Sequence, residues 1–206
     1  MATQTQIVPL QESQQKIAGE VLARAFFDDP LSEYLLPDEE KRRKVLPWFF
    51  GKGAKYGHMF GEVYTTPDSV DGAAIWLPPE DFVMTPYRML RSGMLAAPFK
   101  FGLSTFMRFM GAMNHVEELH KRDVSPKHWY LFILGVDPDR QGQGVGGQLI
   151  QPVVTRADAQ GLPCYLETMK TRNVPFYRKH GFEVVVEADL PKGGPHFWTM
   201  KREPRG

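Results

Sequence analysis

One stretch constrains this chain more than any other. Eight apolar or near-apolar residues, Trp129-Tyr130-Leu131-Phe132-Ile133-Leu134-Gly135-Val136, run into Asp137-Pro138-Asp139-Arg140 and then Gln141-Gly142-Gln143-Gly144-Val145-Gly146-Gly147. The apolar run reads as a buried strand. The glycines make a turn, and the turn opens an amphipathic helix expected over 144–160. Backbone N–H groups at such a helix start converge on one spot and carry partial positive charge, so they attract a phosphate without a cation. About thirty residues on, Arg172-Asn173-Val174-Pro175-Phe176-Tyr177-Arg178-Lys179-His180-Gly181-Phe182 predicts a second short helix carrying Tyr177. Together these features imply a site for a phosphorylated cofactor.

The rest of the chain supplies a sheet and its helices. Strands are expected at 6–10, 62–66, 70–77, 129–136, 163–169, 182–187 and 196–201, and helices at 14–27, 38–56, 144–160 and 173–180. Pro47 is expected to kink or split the second helix, and Pro152 to bend the third. Residues 80–127 differ in character. Six of the ten methionines fall between Met84 and Met113, and Phe99, Leu103, Phe106, Met107, Met110 and Met113 follow a helical stripe. This predicts a helical insertion that serves as an acceptor wall, a packing element or a homodimer surface. Strands alternating with helices around one sheet give an α/β or α+β class. A chain of 206 residues is expected to form one domain, 1–206, with a cofactor-binding core at 128–182.

Composition narrows the function. The net charge is +1, so no bulk attraction to nucleic acid or to an anionic membrane is expected. No apolar run approaches membrane-spanning length, and the polar 1–6 stretch has no signal-peptide core, which predicts a cytoplasmic location. The single cysteine, Cys164, reads as a buried small apolar residue. No His/Asp/Glu spacing suggests a metal site.

The glycine pattern alone leaves two cofactor classes open. Gly142, Gly144 and Gly147 also fit a dinucleotide fingerprint, with Glu167 about twenty residues on where a ribose-binding acid is wanted. Topology argues against it. Asp137 to Gln141 separate the strand from the first glycine, and about sixty residues remain, too few for a doubly wound domain. A P-loop is excluded because no Gly-Lys-Ser/Thr follows.

The stretch from Trp129 to Phe182 resembles the cofactor-binding core of the GNAT superfamily, the acyl-CoA-dependent N-acetyltransferases. Gln141 to Gly146 is similar to its Gln-x-x-Gly-x-Gly pyrophosphate motif, and Tyr177 with Gly181-Phe182 to its Tyr-x-x-x-Gly-Phe motif. The resemblance implies a mixed, mostly antiparallel sheet splayed between its fourth and fifth strands. It implies acetyl-CoA as co-substrate, its pantetheine arm on the backbone of Leu134, Gly135 and Val136, and its pyrophosphate on Gln141, Gly142, Gln143, Gly144, Val145, Gly146 and Gly147. Gly135 inside a strand reads as a bulge or a close backbone approach. Asn173 stands four residues before Tyr177, where many relatives place an asparagine seven before. It therefore reads mainly as the cap of the short helix, with a cofactor contact besides.

Acetyl transfer to an amine needs a base, donors for the carbonyl oxygen and an acid for the thiolate. By resemblance Tyr177 is the acid, and the amide of Leu134 or Val136 polarises the carbonyl. Glu167 is a candidate base acting through water, while Tyr130, His128 and His196 are candidates by chemistry or position alone. Arg140, Lys170, Arg172, Arg178 and Lys179 flank the two motifs, and one or two can meet a ribose phosphate. The resemblance also implies an acceptor side built from the first two helices and nearby loops, where Asp28, Asp29, Glu33 and Tyr34 serve as caps or as partners of a cationic amine. The expected reaction is acetylation of a primary amine of a small molecule by direct attack in a ternary complex. An acetyl-CoA-binding regulatory module and a nicotinamide-dinucleotide enzyme stay open beside it.

Overall fold

A computed structural model describes residues 6–79 and 84–205. Residues 1–5, 80–83 and 206 lie outside it, and with them most of the polar N-terminal stretch and the first residues of the expected insertion.

Seven strands form one sheet: β1 (Val8–Pro9), β2 (Glu62–Thr65), β3 (Gly72–Leu77), β4 (Trp129–Val136), β5 (Cys164–Thr168), β6 (Glu183–Asp189) and β7 (His196–Arg202), in the order β1-β2-β3-β4-β5-β7-β6. Every neighbouring pair is antiparallel except β4 and β5. That parallel pair holds only at Trp129 with Cys164 and Tyr130 with Tyr165. Beyond Tyr130 the two strands separate, so each has backbone groups facing a gap instead of a partner. The fold is therefore an α+β layered arrangement with a splayed, mixed sheet.

Helices α1 (Gln15–Ala25), α2 (Pro30–Leu35), α3 (Glu39–Phe60), α4 (Pro86–Ser92), α5 (Ala97–Phe101) and α6 (Leu103–Asp123) precede β4, with α7 (Val145–Gln160) and α8 (Asn173–Lys179) after it. Two apolar layers sandwich the sheet. Ala18, Val21, Leu22, Val45, Leu46, Phe50 and Ala54 of α1 and α3 pack on Ala73, Ile75 and Ile133. On the other face Leu149, Ile150, Val153 and Val154 of α7 pack on Trp76, Leu131, Leu166 and Met200. Alternation along each strand sends successive side chains to opposite layers.

Two local readings are corrected, the split at Pro47 and the apolar stripe of the insertion. Pro47 lies inside α3, which runs unbroken for 22 residues. Tertiary packing holds it there: α1 lies so close that a Cβ on Gly19 would come within 2.8 Å of the Pro47 carbonyl oxygen and 2.7 Å of Gly51. Pro152 sits inside α7, a helix of 16 residues. The apolar stripe of the insertion is split. Phe106 packs into the α1–α3 core and Met113 against a cluster with Leu190 and Phe197, while Phe99, Leu103 and Met107 are exposed. The face of α6 that meets the sheet instead carries Ala112, Val116 and His120.

Candidate active site

A cleft of about 1370 Å³ opens where β4 and β5 part, lined among others by Leu134, Gly135, Val136, residues 140–142 and 144–148, Asn173 and Tyr177; Gln143 is not among the lining residues, its side chain donating instead to the Asp139 carbonyl. Its floor follows from the register of β4. Leu131 pairs with Trp76 and Ile133 with Ile75, so Phe132 is an extra residue, a bulge. Backbone direction can then be read from the far end. The Asp137 N–H donates to the Asp71 carbonyl, 2.8 Å away on the β3 side. By alternation Gly135 points the same way, and Leu134 and Val136 turn their N–H and C=O groups into the gap. The Val136 carbonyl is met there by Gln141 Nε2 at 3.0 Å.

The expected role of Gly135 changes accordingly. It is not the bulge. Its hydrogen stands where a Cβ would meet Leu22 Cδ2 at 2.7 Å and Phe26 at 3.0 Å, so glycine lets α1 lie against β4. Arg24 of α1 also pairs with Asp137 at 2.5 Å, tying the helix to the start of the turn.

The glycines of the turn divide into two pairs. Gly142 and Gly144 have φ of 76° and 84° with open space around them, so they are required by backbone conformation. Gly146 and Gly147 lie close against α8: a Cβ would lie 3.3 Å from Phe176 and 2.7 Å from the His180 ring, side chains that would have to give way. The first turn of α7 thus packs directly on α8. The two motifs, thirty residues apart in sequence, form one wall. The first backbone N–H to find a carbonyl at an i−4 position is that of Gln148, on Gly144. The amides before it belong to the unpaired first turn that every helix has, here at the cleft.

Tyr177 is buried at the cleft edge, its ring set against Phe176 and Phe182. Burial, reinforced by the charge of Asp29, pushes its hydroxyl well above the usual tyrosine range, so it stays protonated. Asp29 is itself buried, caps α2 through the Leu31 N–H at 3.0 Å, and has its carboxyl raised by burial. Asn173 is the first residue of α8, not its cap, and its side-chain N–H donates to Thr168 Oγ1 at 3.0 Å. It joins α8 to the end of β5. Arg140, Lys170, Arg172 and Lys179 line the cleft; Arg178 is not among the lining residues. Lys170 pairs with Asp28 at 2.5 Å, which holds that carboxyl below its ordinary range. Arg140 lies 3.5 Å from Asp71.

Glu167 points away from the cleft lining, to the sheet face covered by α6. It stands two residues past the last β4–β5 pair, at the apex of the gap. Tyr130 reaches across the gap and donates to Glu167 Oε2 at 2.7 Å. His120 of α6 places Nδ1 3.5 Å from Oε1. Burial raises the Glu167 carboxyl to about 7, against the lowering effect of the Tyr130 bond. Burial likewise lowers His120 to about 3, helped by His128 and Lys121. The sequence singled out Glu167, Tyr130 and His128 separately; the fold brings them together and adds His120, for which no local pattern exists. His196 lies apart, bonded to Asp189 and Glu187 on the exposed end of β6–β7. Among the described residues no group of three His, Cys, Asp or Glu side chains is placed to hold a metal. Cys164 is fully buried.

Comparison with known proteins decides the family. Residues 108–182 match the model of the Acetyltransferase (GNAT) family. An uncharacterized N-acetyltransferase of Schizosaccharomyces pombe is 31% identical over 173 residues, 81% of this chain and 70% of the relative. The chain belongs to the GNAT acetyltransferase family. This makes it an acyltransferase and removes the nicotinamide reading of the glycine turn. In fold it is similar to a Corynebacterium glutamicum protein described as histone acetyltransferase HPA2 and related acetyltransferase. That match has a TM-score of 0.67 and 22% identity over 99% of this chain and 98% of the other. It is also similar to the polyamine N-acetyltransferase of Drosophila melanogaster, which catalyses formation of N-acetylagmatine, with a TM-score of 0.58 and 16% identity over 96% of this chain and 100% of that one. No helix among the described residues is long and apolar enough to cross a membrane.

Proposed function

We propose that the chain, acting as a single domain, transfers an acetyl group from acetyl-CoA to a primary amine of a small molecule. The observation that carries this reading is the meeting of three things at one gap: unpaired amides, Tyr177 and the Glu167–Tyr130 pair. The residues fit a coenzyme A thioester. The turn of positive-φ glycines receives a diphosphate, the Leu134 and Val136 backbone receives an amide-bearing arm, and Arg140, Arg172 or Lys179 receives a ribose phosphate. When bound, acetyl-CoA supplies an electrophilic thioester carbonyl.

The chain's own residues perform the rest. Alkylammonium groups lose a proton near pH 10 and must be neutral to attack. Glu167, ionised above about pH 7, accepts that proton through water. The amide of Leu134 or Val136 donates to the carbonyl oxygen as charge develops on it. Tyr177 gives its proton to the leaving sulfur. Asp29, beside Tyr177, helps to keep the phenol protonated until then.

The acceptor side favours a small amine over an extended peptide. Tyr34 donates to the Lys192 carbonyl at 3.2 Å, joining α2 to the β6–β7 turn. Leu31 of α2 and Met113 of α6 pack with Leu190 and Phe197 beneath that junction. The sheet face bearing Glu167 is thereby roofed instead of lying in an open groove. That a fold neighbour acts on agmatine agrees with this reading.

The test is a panel of primary amines assayed by free-thiol release from acetyl-CoA. Turnover with at least one small amine is expected. Acetyl-CoA should also raise the melting temperature while NAD(P) leaves it unchanged, because a ligand that binds only the folded state stabilises it. Stabilisation without thiol release across the panel would mark a binding module instead.

The diphosphate contact has its own test. An alanine at Gly144 forces a Cβ into the left-handed region at a cost of about 1–2 kcal/mol. The turn is expected to relax and withdraw its amides. Coenzyme A affinity by calorimetry should fall about tenfold, with a melting temperature only a few degrees lower.

A further inference from the structure

The polar groups between Ser125 and Glu167 form a chain whose direction can be deduced. His128 Nδ1 lies 2.5 Å from the Ser125 carbonyl oxygen. A carbonyl only accepts, so Nδ1 carries the proton, and in a neutral ring Nε2 is then the acceptor. His128 Nε2 lies 2.7 Å from His120 Nε2. His120 must therefore donate from Nε2, which leaves its Nδ1 as the acceptor, 3.5 Å from Glu167 Oε1. At the other end of the carboxyl, Oε2 already takes the Tyr130 hydroxyl proton at 2.7 Å. A lone pair facing an ionised oxygen is repulsive; a proton between the two relieves it.

We propose that Ser125 and His128 lock the tautomer of His120, so that its ring presents a lone pair to Glu167 and favours the protonated over the ionised carboxyl. This rests on the reading of Glu167 as the acceptor base. It makes His120 and His128 positioning residues that set the pH below which the base is silent. Their surroundings agree. Both rings are buried, His120 is stacked at 4.3 Å on Tyr165, and both are held neutral by burial. Among the described residues, the other charged or titratable groups that act on the cluster include Glu117 and Lys121 of α6, Tyr130 of β4, Tyr165 of β5 and Lys201 of β7. The two cations disfavour a second proton on the rings, which reinforces the neutral tautomers.

Nitrogen-15 NMR of the histidine-labelled full chain at pH 7 to 8 reads the lock directly. The expected result is His128 protonated at Nδ1 and His120 at Nε2 only. His120 found with its proton on Nδ1, or on both nitrogens, would overturn the proposal. The functional arm uses two variants. His128→Leu removes the acceptor and frees His120 to turn an Nδ1–H toward Glu167, which favours the carboxylate. The acid limb of the kcat/KM profile should move about one pH unit lower. His128→Gln offers an amide oxygen to His120 and an N–H to Ser125, and should restore the wild-type limb. An unmoved limb in His128→Leu, or an equal shift in both variants, would sink the idea. Failure of Glu167 as base shows differently: Glu167→Gln would keep full turnover while the tautomers stayed as described. Should His128→Leu not fold, the spectrum of the unmodified chain still decides.

Discussion

Replacing Tyr177 by phenylalanine is expected to lower kcat by about a hundredfold or more while leaving coenzyme A affinity within about twofold. The ring has two duties that the substitution separates. Its packing against Phe176 and Phe182, with centroids at 5.0 and 5.8 Å, is retained by phenylalanine. Its hydroxyl, held protonated by burial and by Asp29, is lost. A positioned general acid contributes roughly 10²–10⁴ in rate. The glycine turn and the β4 backbone, proposed to receive the diphosphate and the arm, are untouched. Single-turnover thiol release and calorimetry on the same preparation give the two quantities. An unchanged kcat would remove Tyr177 from the chemistry and leave it a core aromatic.

Glu167→Gln should do two opposite things, slowing acetyl transfer and stabilising the fold at alkaline pH. The amide keeps the shape of the protonated acid. It can accept from Tyr130 and donate to His120, the polarity that the buried chain favours. The sign follows from the carboxyl, raised in the fold from 4.5 to about 7 by burial. Its contribution to stability is fully present below pH 4.5 and is lost as pH rises through 7, because ionising a buried carboxylate costs more than ionising a solvated one. Glutamine never ionises. The stability difference should vanish near pH 4.5 and reach on the order of 3 kcal/mol at pH 8. For a chain of this size that raises the melting temperature by roughly 5–10 °C. His120, whose lowered titration is common to both proteins, cancels in the comparison. Equal melting temperatures at pH 8 would show that Glu167 is ionised without cost in the fold and so carries no raised titration.

Chain order and local composition determined a good deal by themselves. The strand, the glycine turn, the helix after it and the tyrosine helix were legible because each rests on short-range chemistry: an apolar run, glycines at left-handed positions, a helix start beside them. β4 occupies the residues expected, and β5, α7 and α8 differ from expectation by a residue or so at their ends. A glycine turn opening a helix was enough to suggest a phosphate site.

Where long-range contact governs, local pattern misled or was silent. Pro47 did not break α3 because α1 packs on it through Gly19 and Gly51. Gly135 looked like a bulge, yet the extra residue is Phe132, and only pairing with β3 reveals it. Asn173 looked like a cap and instead ties α8 to Thr168. His120 sits in a methionine-rich helix with no sign of function, and becomes a partner of Glu167 only when α6 lies down on the sheet. Sequence spacing sets backbone geometry over a few residues, so it specified the proposed phosphate end of the site. The proposed proton-handling end is built from Glu167, Tyr130, His120 and His128, on separate elements, and buried charge depends on what surrounds it in three dimensions; only the tertiary structure could decide it.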